Sequence, residues 1–293
     1  MEEEMKKQKS FKGQYETGTL YLVPTPIGNL EDMSFRSVQT LKDADLIASE
    51  DTRNTQKLLN HFEIQTPQKS LHEHNYKERI PQLLEFLQDG KSIAQVSDAG
   101  MPSISDPGHE LVTACIEQDI PVVSLPGPTA GMTALVASGL SPQPFLFYGF
   151  LPRKKKEQQL ALTQLKEHEE TLIFYESPYR LTSTLENFLA VFGNRQVVLC
   201  RELTKIHEEY LRGSVEELLA YLEETPVKGE CCLMVSGNTE EEAVEVTDKT
   251  LKEQVEERIA EGMKTNAAIK EVAVKNGIKK QEVYRQFHEL DAE

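Results

Sequence analysis

Between about residues 18 and 237, short apolar, β-branched runs alternate with stretches whose apolar residues recur every three or four positions. A repeated switch from continuous apolar runs to helical spacing is the pattern of βα units around a mainly parallel sheet, so the fold class predicted is α/β. The first series places strands at residues 19–23, 45–49, 68–72, 92–96 and 121–125, with helices such as 35–42 and 77–88 between them. Asp106 is the expected cap and Pro107 the expected first residue of a helix whose buried face carries Leu111, Val112, Cys115 and Ile116. A second series places strands at 145–149, 171–175, 196–200 and 231–235, with helices at 156–168 and 181–192.

The change of series near residues 139–144 divides the chain into a tail (1–17) expected to be disordered, an N-terminal α/β domain (18–140) and a second α/β domain (141–237). An acidic linker (238–248) and a helical module (249–293) follow. The module's last two helices, 266–275 and 279–290, are joined by Asn276-Gly277-Ile278, the short glycine turn of a helix-turn-helix; such turns also join many helix pairs that serve only packing or dimerisation.

Charge and cysteine usage narrow the class. A net charge of −16 repels polyanions on average, so a nucleic-acid contact has to come from a local patch, and indiscriminate binding to an anionic membrane is excluded. Cys115, Cys200, Cys231 and Cys232 show no CxxC spacing and sit in apolar runs, as small hydrophobes do. The first residues lack the apolar core of a secretory signal and no run is long enough to span a bilayer, which makes a cytoplasmic protein the expectation.

Three loops follow predicted strands and are rich in residues that restrict or free the main chain: "PTPIGNL" (24–30), "SDAGMPSISDPG" (97–108) and "LPGPTAG" (125–131). In open α/β sheets ligands collect beyond the carboxyl ends of strands, where loop and helix-start N–H groups are unpaired. In the first loop Gly28 permits close approach. In the second, Ala99, Gly100 and Met101 offer amides and Asp98 a carboxylate. In the third, Thr129 offers a hydroxyl. Each loop alone reads equally as turn chemistry.

With "YESPYRL" (175–181) and "RELTK" (201–205), these loops in this order resemble the tetrapyrrole methylase superfamily, and within it a branch that acts on ribosomal RNA and carries a helical tail. The resemblance spans residues 18–237 and extends to that tail. It implies a two-domain fold with S-adenosyl-L-methionine held between the α/β domains, a homodimer, and methyl transfer to the ribose 2'-hydroxyl of a cytidine in the decoding region of 16S rRNA, within the 30S subunit. Carried over, the cofactor residues are Pro24, Ile27, Gly28, Asp98, Gly100, Met101, Thr129, Ala130 and Tyr175.

A 2'-hydroxyl becomes a good nucleophile only on losing its proton, so a base or an alkoxide-stabilising cation is expected. The catalytic candidates are Glu176, Glu202, Lys205 and Arg201, each of which reads as well as part of an ion-paired strand end. His72 and His74 share one side of a continued strand but have no third ligand nearby, so no metal is expected; His74 and Asn75 resemble an HN pair of the family that would face the acceptor. For RNA phosphates the candidates are Arg153, Lys154, Lys155 and Lys156, with Lys279, Lys280 and Arg285 in the tail; a solvated helix start is the other reading of the first group. The competing functions are a methylase of a corrin-type macrocycle and a non-catalytic RNA-binding assembly factor.

Overall fold

A computed structural model describes residues 5–10, 13, 15–104, 108–238, 250–260, 262–276 and 278–288. The contacts divide the chain into two units, Met1–Asn238 and Thr239–Glu293. The chain is α/β, as its periodicity predicts.

In the first unit the strands β1 (Leu20–Leu22), β2 (Leu46–Ser49), β3 (Gln68–Ser70), β4 (Ile93–Val96) and β5 (Val122–Ser124) form one sheet in the order β3-β2-β4-β1-β5. All its pairings are parallel. Helices α1 (Phe35–Asp43) and α2 (Thr52–His61) cover one face through Leu41, Leu58 and Leu59. On the other face, α3 (Tyr76–Gln88) and α4 (His109–Glu117) bury Leu83, Leu87, Leu111 and Cys115. Cover on both faces explains why these strands read as unbroken apolar runs. Asp106 and Pro107 lie outside the described residues; α4 is entered through Gly108 at φ +143°, where a Cβ would stand 1.9 Å from the Gln95 amide nitrogen. From the segment expected as a tail, the Gln8 side chain pairs with both the N–H and the C=O of Val122 on edge strand β5.

The second sheet contains β6 (Phe145–Phe150), β7 (Thr171–Glu176), β8 (Gln196–Arg201), β9 (Glu209–Ser214) and β10 (Cys231–Val235), in the order β6-β7-β10-β8-β9. Only β6 and β7 pair in parallel; the other neighbours are antiparallel. The mainly parallel reading therefore fails in this half. Its cause is burial on both faces: in β7, β8 and β10 one set of alternate residues (Leu172, Phe174, Leu199, Leu233) packs beneath α6 (Lys155–Leu165), α7 (Leu181–Phe192) and α8 (Val215–Glu224). The opposite set (Ile173, Val198, Cys200, Cys232, Met234) packs against α5 (Ala130–Ser138). With both faces dry, an antiparallel strand loses the alternation that would identify it.

The second unit has helices α9 (Leu251–Ala260), α10 (Thr265–Lys275) and α11 (Lys280–Phe287) around a core of Val255, Ala268, Ile269, Val272, Ala273 and Val283. Among the described residues no helix is long and apolar enough to cross a membrane.

Candidate active site

Strands β4, β1 and β5 are neighbours in the sheet, so the three loops that leave their carboxyl ends meet. Thr25 and Gly100 join the first two as a two-hydrogen-bond bridge (Thr25 N to Gly100 O and Gly100 N to Thr25 O, both 3.0 Å), and the Thr25 hydroxyl donates to Ser97 O at 3.1 Å. Gly100 sits at φ +77°, a conformation costly for any residue with a Cβ. Its N–H is committed to Thr25, so the amide expected to meet an anion is already satisfied. Gly127 stacks on the Pro24 ring, where a Cβ would approach to 2.5 Å, and this fixes the third loop on the first.

The third loop leads into α5. Thr129 caps that helix by accepting from Met132 N at 3.3 Å, and the Gly131 N–H donates to the Tyr175 hydroxyl of β7 at 3.2 Å. A helix that begins at a loop of the first sheet thus lies against the second, and a cleft of about 700 Å³ opens between them. Ile27, Asp98, Gly100, Met101, Thr129, Ala130 and Tyr175 line it, together with Glu176. Pro24 and Gly28 do not line it. A Cβ at Gly28 would stand 2.6 Å from Lys205 Cγ and 2.9 Å from Leu203 O, so the close approach permitted there is made by the chain itself.

The sequence reading passed over the second-sheet wall: Phe147, Phe150, Cys231 and Cys232, with Leu203 and Glu230. Phe147 and Phe150 hold Tyr175 edge-on, at ring-centroid distances of 5.0 and 5.5 Å. Burial pushes the Cys231 thiol up to about 11 and raises that of Cys232 further, so both stay neutral and weakly nucleophilic.

Each carboxylate in the wall is engaged. Asp98 accepts from Asp51 N at 3.2 Å and Asn54 Nδ2 at 3.0 Å, which ties the second loop to the start of α2. Glu176, its side chain 2% exposed, accepts from Ser177 N at 2.8 Å and the Thr184 hydroxyl at 2.7 Å, and pairs with Arg180 Nε at 3.4 Å. Arg180 in turn donates to Leu151 O and Pro152 O at 3.3 and 3.0 Å. Glu176 is thereby a clamp on the wall loop 176–180.

Arg201, Glu202 and Lys205 stand outside the lining. Arg201 pairs with Glu209 at 2.5 Å. Lys205 bridges Glu202 at 3.0 Å and Glu230 at 2.9 Å. The Glu230 N–H, followed by Lys205, holds the Glu202 carboxyl below its ordinary range. Burial works against the Lys205 charge, but the hydrogen bonds to Glu230 and Glu202 outweigh it and raise its pKa, so Lys205 is a fixed cation. Glu202 and Thr204 adopt φ +50° and +65°, and this ion triad pins the strained turn that presents Leu203 to the cleft.

Arg153, Lys154, Lys155 and Lys156 are exposed at the start of α6, with Lys154 paired to Glu157 at 3.0 Å. Lys279, Lys280 and Arg285 are exposed on α11 and the residue before it. His72 and Asn75 bond to each other, and neither they nor His74 line the cleft.

Two α/β halves enclosing a cleft at the ends of β4, β1 and β5 are the architecture of a methylase fold. Residues 19–219 match the family Tetrapyrrole (Corrin/Porphyrin) Methylases, and the chain belongs to that family. It is similar to the ribosomal RNA small subunit methyltransferase I of Streptococcus pyogenes serotype M1, with 59% identity over 98% of this chain and all of the relative. The protein of the same name from Bacillus subtilis (strain 168) is 49% identical over 97% of this chain and 99% of its own. Among solved structures, a cobalt precorrin-4 methyltransferase of cobalamin biosynthesis shares the fold at TM-score 0.57 and 17% identity, covering 74% of this chain and 94% of that one. A diphthine synthase does so at TM-score 0.58 and 12% identity, covering 75% and 90%.

Proposed function

We propose that the cleft holds S-adenosyl-L-methionine and that the protein transfers a methyl group to the ribose 2'-hydroxyl of a cytidine in the decoding region of 16S rRNA, acting as a cytoplasmic homodimer on the 30S subunit. The observation that carries this reading is the meeting of three loops on one cleft, in a chain alike from end to end to relatives named for ribosomal RNA methylation.

The lining fits the cofactor. A cleft of about 700 Å³ is of the size that encloses a nucleoside with a side chain. Ile27, Met101, Ala130 and Met132 offer apolar walls to adenine and to the methylene chain, and Asp98 has a carboxylate for a ligand hydroxyl or amine. The bound cofactor supplies an electrophilic methyl on a sulfonium. The neutral thiols of Cys231 and Cys232 do not compete for it, and Phe147 and Leu203 give that wall an apolar lining. No lining carboxylate is free to act as a strong base, so catalysis here rests on alignment of the acceptor oxygen with the methyl. Lys205 and Arg201 lie outside the lining and spend their charge on Glu202, Glu230 and Glu209, so their part is to hold the turn that carries Leu203.

Incubating the protein with small ribosomal subunits and methyl-tritiated cofactor tests the reading. Label is expected in 16S rRNA, at a single linkage resistant to alkali, because a methylated 2'-oxygen can no longer attack the neighbouring phosphate. Binding of subunits without label would favour the assembly factor, and label confined to a corrin-type macrocycle supplied in a parallel incubation would favour the small-molecule methylase.

A further inference from the structure

The Tyr179 side chain is 98% exposed and makes no hydrogen bond or ring contact among the described residues. The Tyr179 backbone is nonetheless held by its neighbours on both sides. It lies in the 3-10 turn Pro178–Arg180, with the cleft-lining Ser177 and Pro178 just before it. On the other side Arg180 is clamped by Glu176, which is locked to Thr184; Thr184 accepts from Gln158 of α6 at 3.1 Å. Arg180 also grips Leu151 O and Pro152 O, the two residues before the run Arg153–Lys156. The ring therefore stands on a rigid turn between the mouth of the cleft and the strongest run of positive charge in this acidic half.

An exposed tyrosine on a fixed backbone beside cations is the arrangement that binds single-stranded nucleic acid: the ring accepts the face of a base while the cations meet phosphates. Arg153, Lys155 and Lys156 are exposed and form no ion pair among the described residues, so their charge is open to phosphates. We infer that Tyr179 is a stacking platform for a nucleobase of the RNA acceptor, at or next to the methylated nucleotide, with Arg153, Lys155 and Lys156 holding the adjoining phosphates. The inference deepens the RNA reading above and rests on it. Stacking uses the ring face, so the hydroxyl is dispensable and the contact has little preference among bases.

The test uses a single-stranded RNA carrying one pyrrolocytidine, whose emission is quenched by stacking, with calorimetry of S-adenosyl-L-methionine in parallel. Tyr179→Ala is expected to weaken RNA binding about tenfold or more, remove the quench and raise the KM for small subunits, with cofactor affinity and melting temperature unchanged. Tyr179→Phe is expected to restore binding and quench. Equal RNA affinity and quench in wild type and Tyr179→Ala would overturn the inference while leaving rRNA methylation standing. A wild type that neither binds nor labels RNA would instead remove the function on which the inference rests. Loss of activity in Tyr179→Phe would assign the role to the hydroxyl, and a change of oligomeric state in Tyr179→Ala would show the ring packed against a second copy; either result overturns the stacking assignment.

Discussion

The two halves that face the cleft are held in place by different means. In the first, the wall is main chain: Pro24 stacks on Gly127, Thr25 pairs with Gly100, and Gly100 takes a left-handed turn. In the second, the wall is side chains on strands, kept in place by side-chain partners: Tyr175 between Phe147 and Phe150, and the buried Glu176 clamped by Arg180 and Thr184. A backbone-shaped wall is sensitive to residues that cannot adopt a required φ. A side-chain wall is sensitive to losing one partner of a buried pair.

The sharpest way to break the contrast is in the second half. Arg180→Ala leaves Glu176 buried without its cation, which costs about 3 kcal/mol. For a chain of this size that lowers Tm by roughly 6–12 °C in a thermal melt; Glu176→Gln made in the same background is expected to recover part of the loss. Next is Gly100→Val in the first half. Its side chain meets Ile27 Cγ2 and Pro128 O at 3.4 Å from the Cβ position, at φ +77°. About 1–2 kcal/mol of stability is expected to go, and cofactor affinity at least tenfold, read by calorimetry. A smaller loss comes from Lys205→Met, which frees the strained turn at Glu202 and Thr204. Lys205→Arg keeps the charge and is expected to retain more activity at saturating cofactor.

The smallest effect concerns acid. Hydrogen bonds from Arg53, first through its side chain and then its backbone, hold Asp51 at about 2 against 3.8 in the free residue. A depressed carboxyl stabilises the fold fully above 3.8, and that contribution is lost as the pH falls toward about 2. Asp51→Asn is therefore expected to flatten the acid limb of a urea-unfolding series slightly, since the pair is exposed.

The same contrast explains what could be read from the sequence. Loops shaped by proline and glycine are visible in one chain, so Asp98, Gly100, Met101 and Thr129 were legible from the residues, and the family resemblance added Ile27 and Ala130. Phe147, Phe150, Cys231 and Cys232 were not, because an apolar residue lining a cleft has the same letter as one filling a core. Strand β9 escaped for the opposite reason: "EYLRGS" carries edge charges in place of an apolar run. Helix α2 has too few apolar residues to show a face. Helix α8 was passed over too, although the sequence carries its signal, the Ser214 to Glu217 capping box before an apolar stripe. Glu176 shows the limit of motif reading. A carboxylate beside a ligand site suggests chemistry, and only its three partners reveal a clamp.

The central claim is that both walls enclose one cofactor. Calorimetric titration of S-adenosyl-L-methionine into wild type and into Ala130→Trp, which fills the cleft where the two walls meet, tests it most directly. One site per chain in the wild type and none in a folded Ala130→Trp is the expected result. Equal affinity in both proteins would place the cofactor elsewhere and contradict the account.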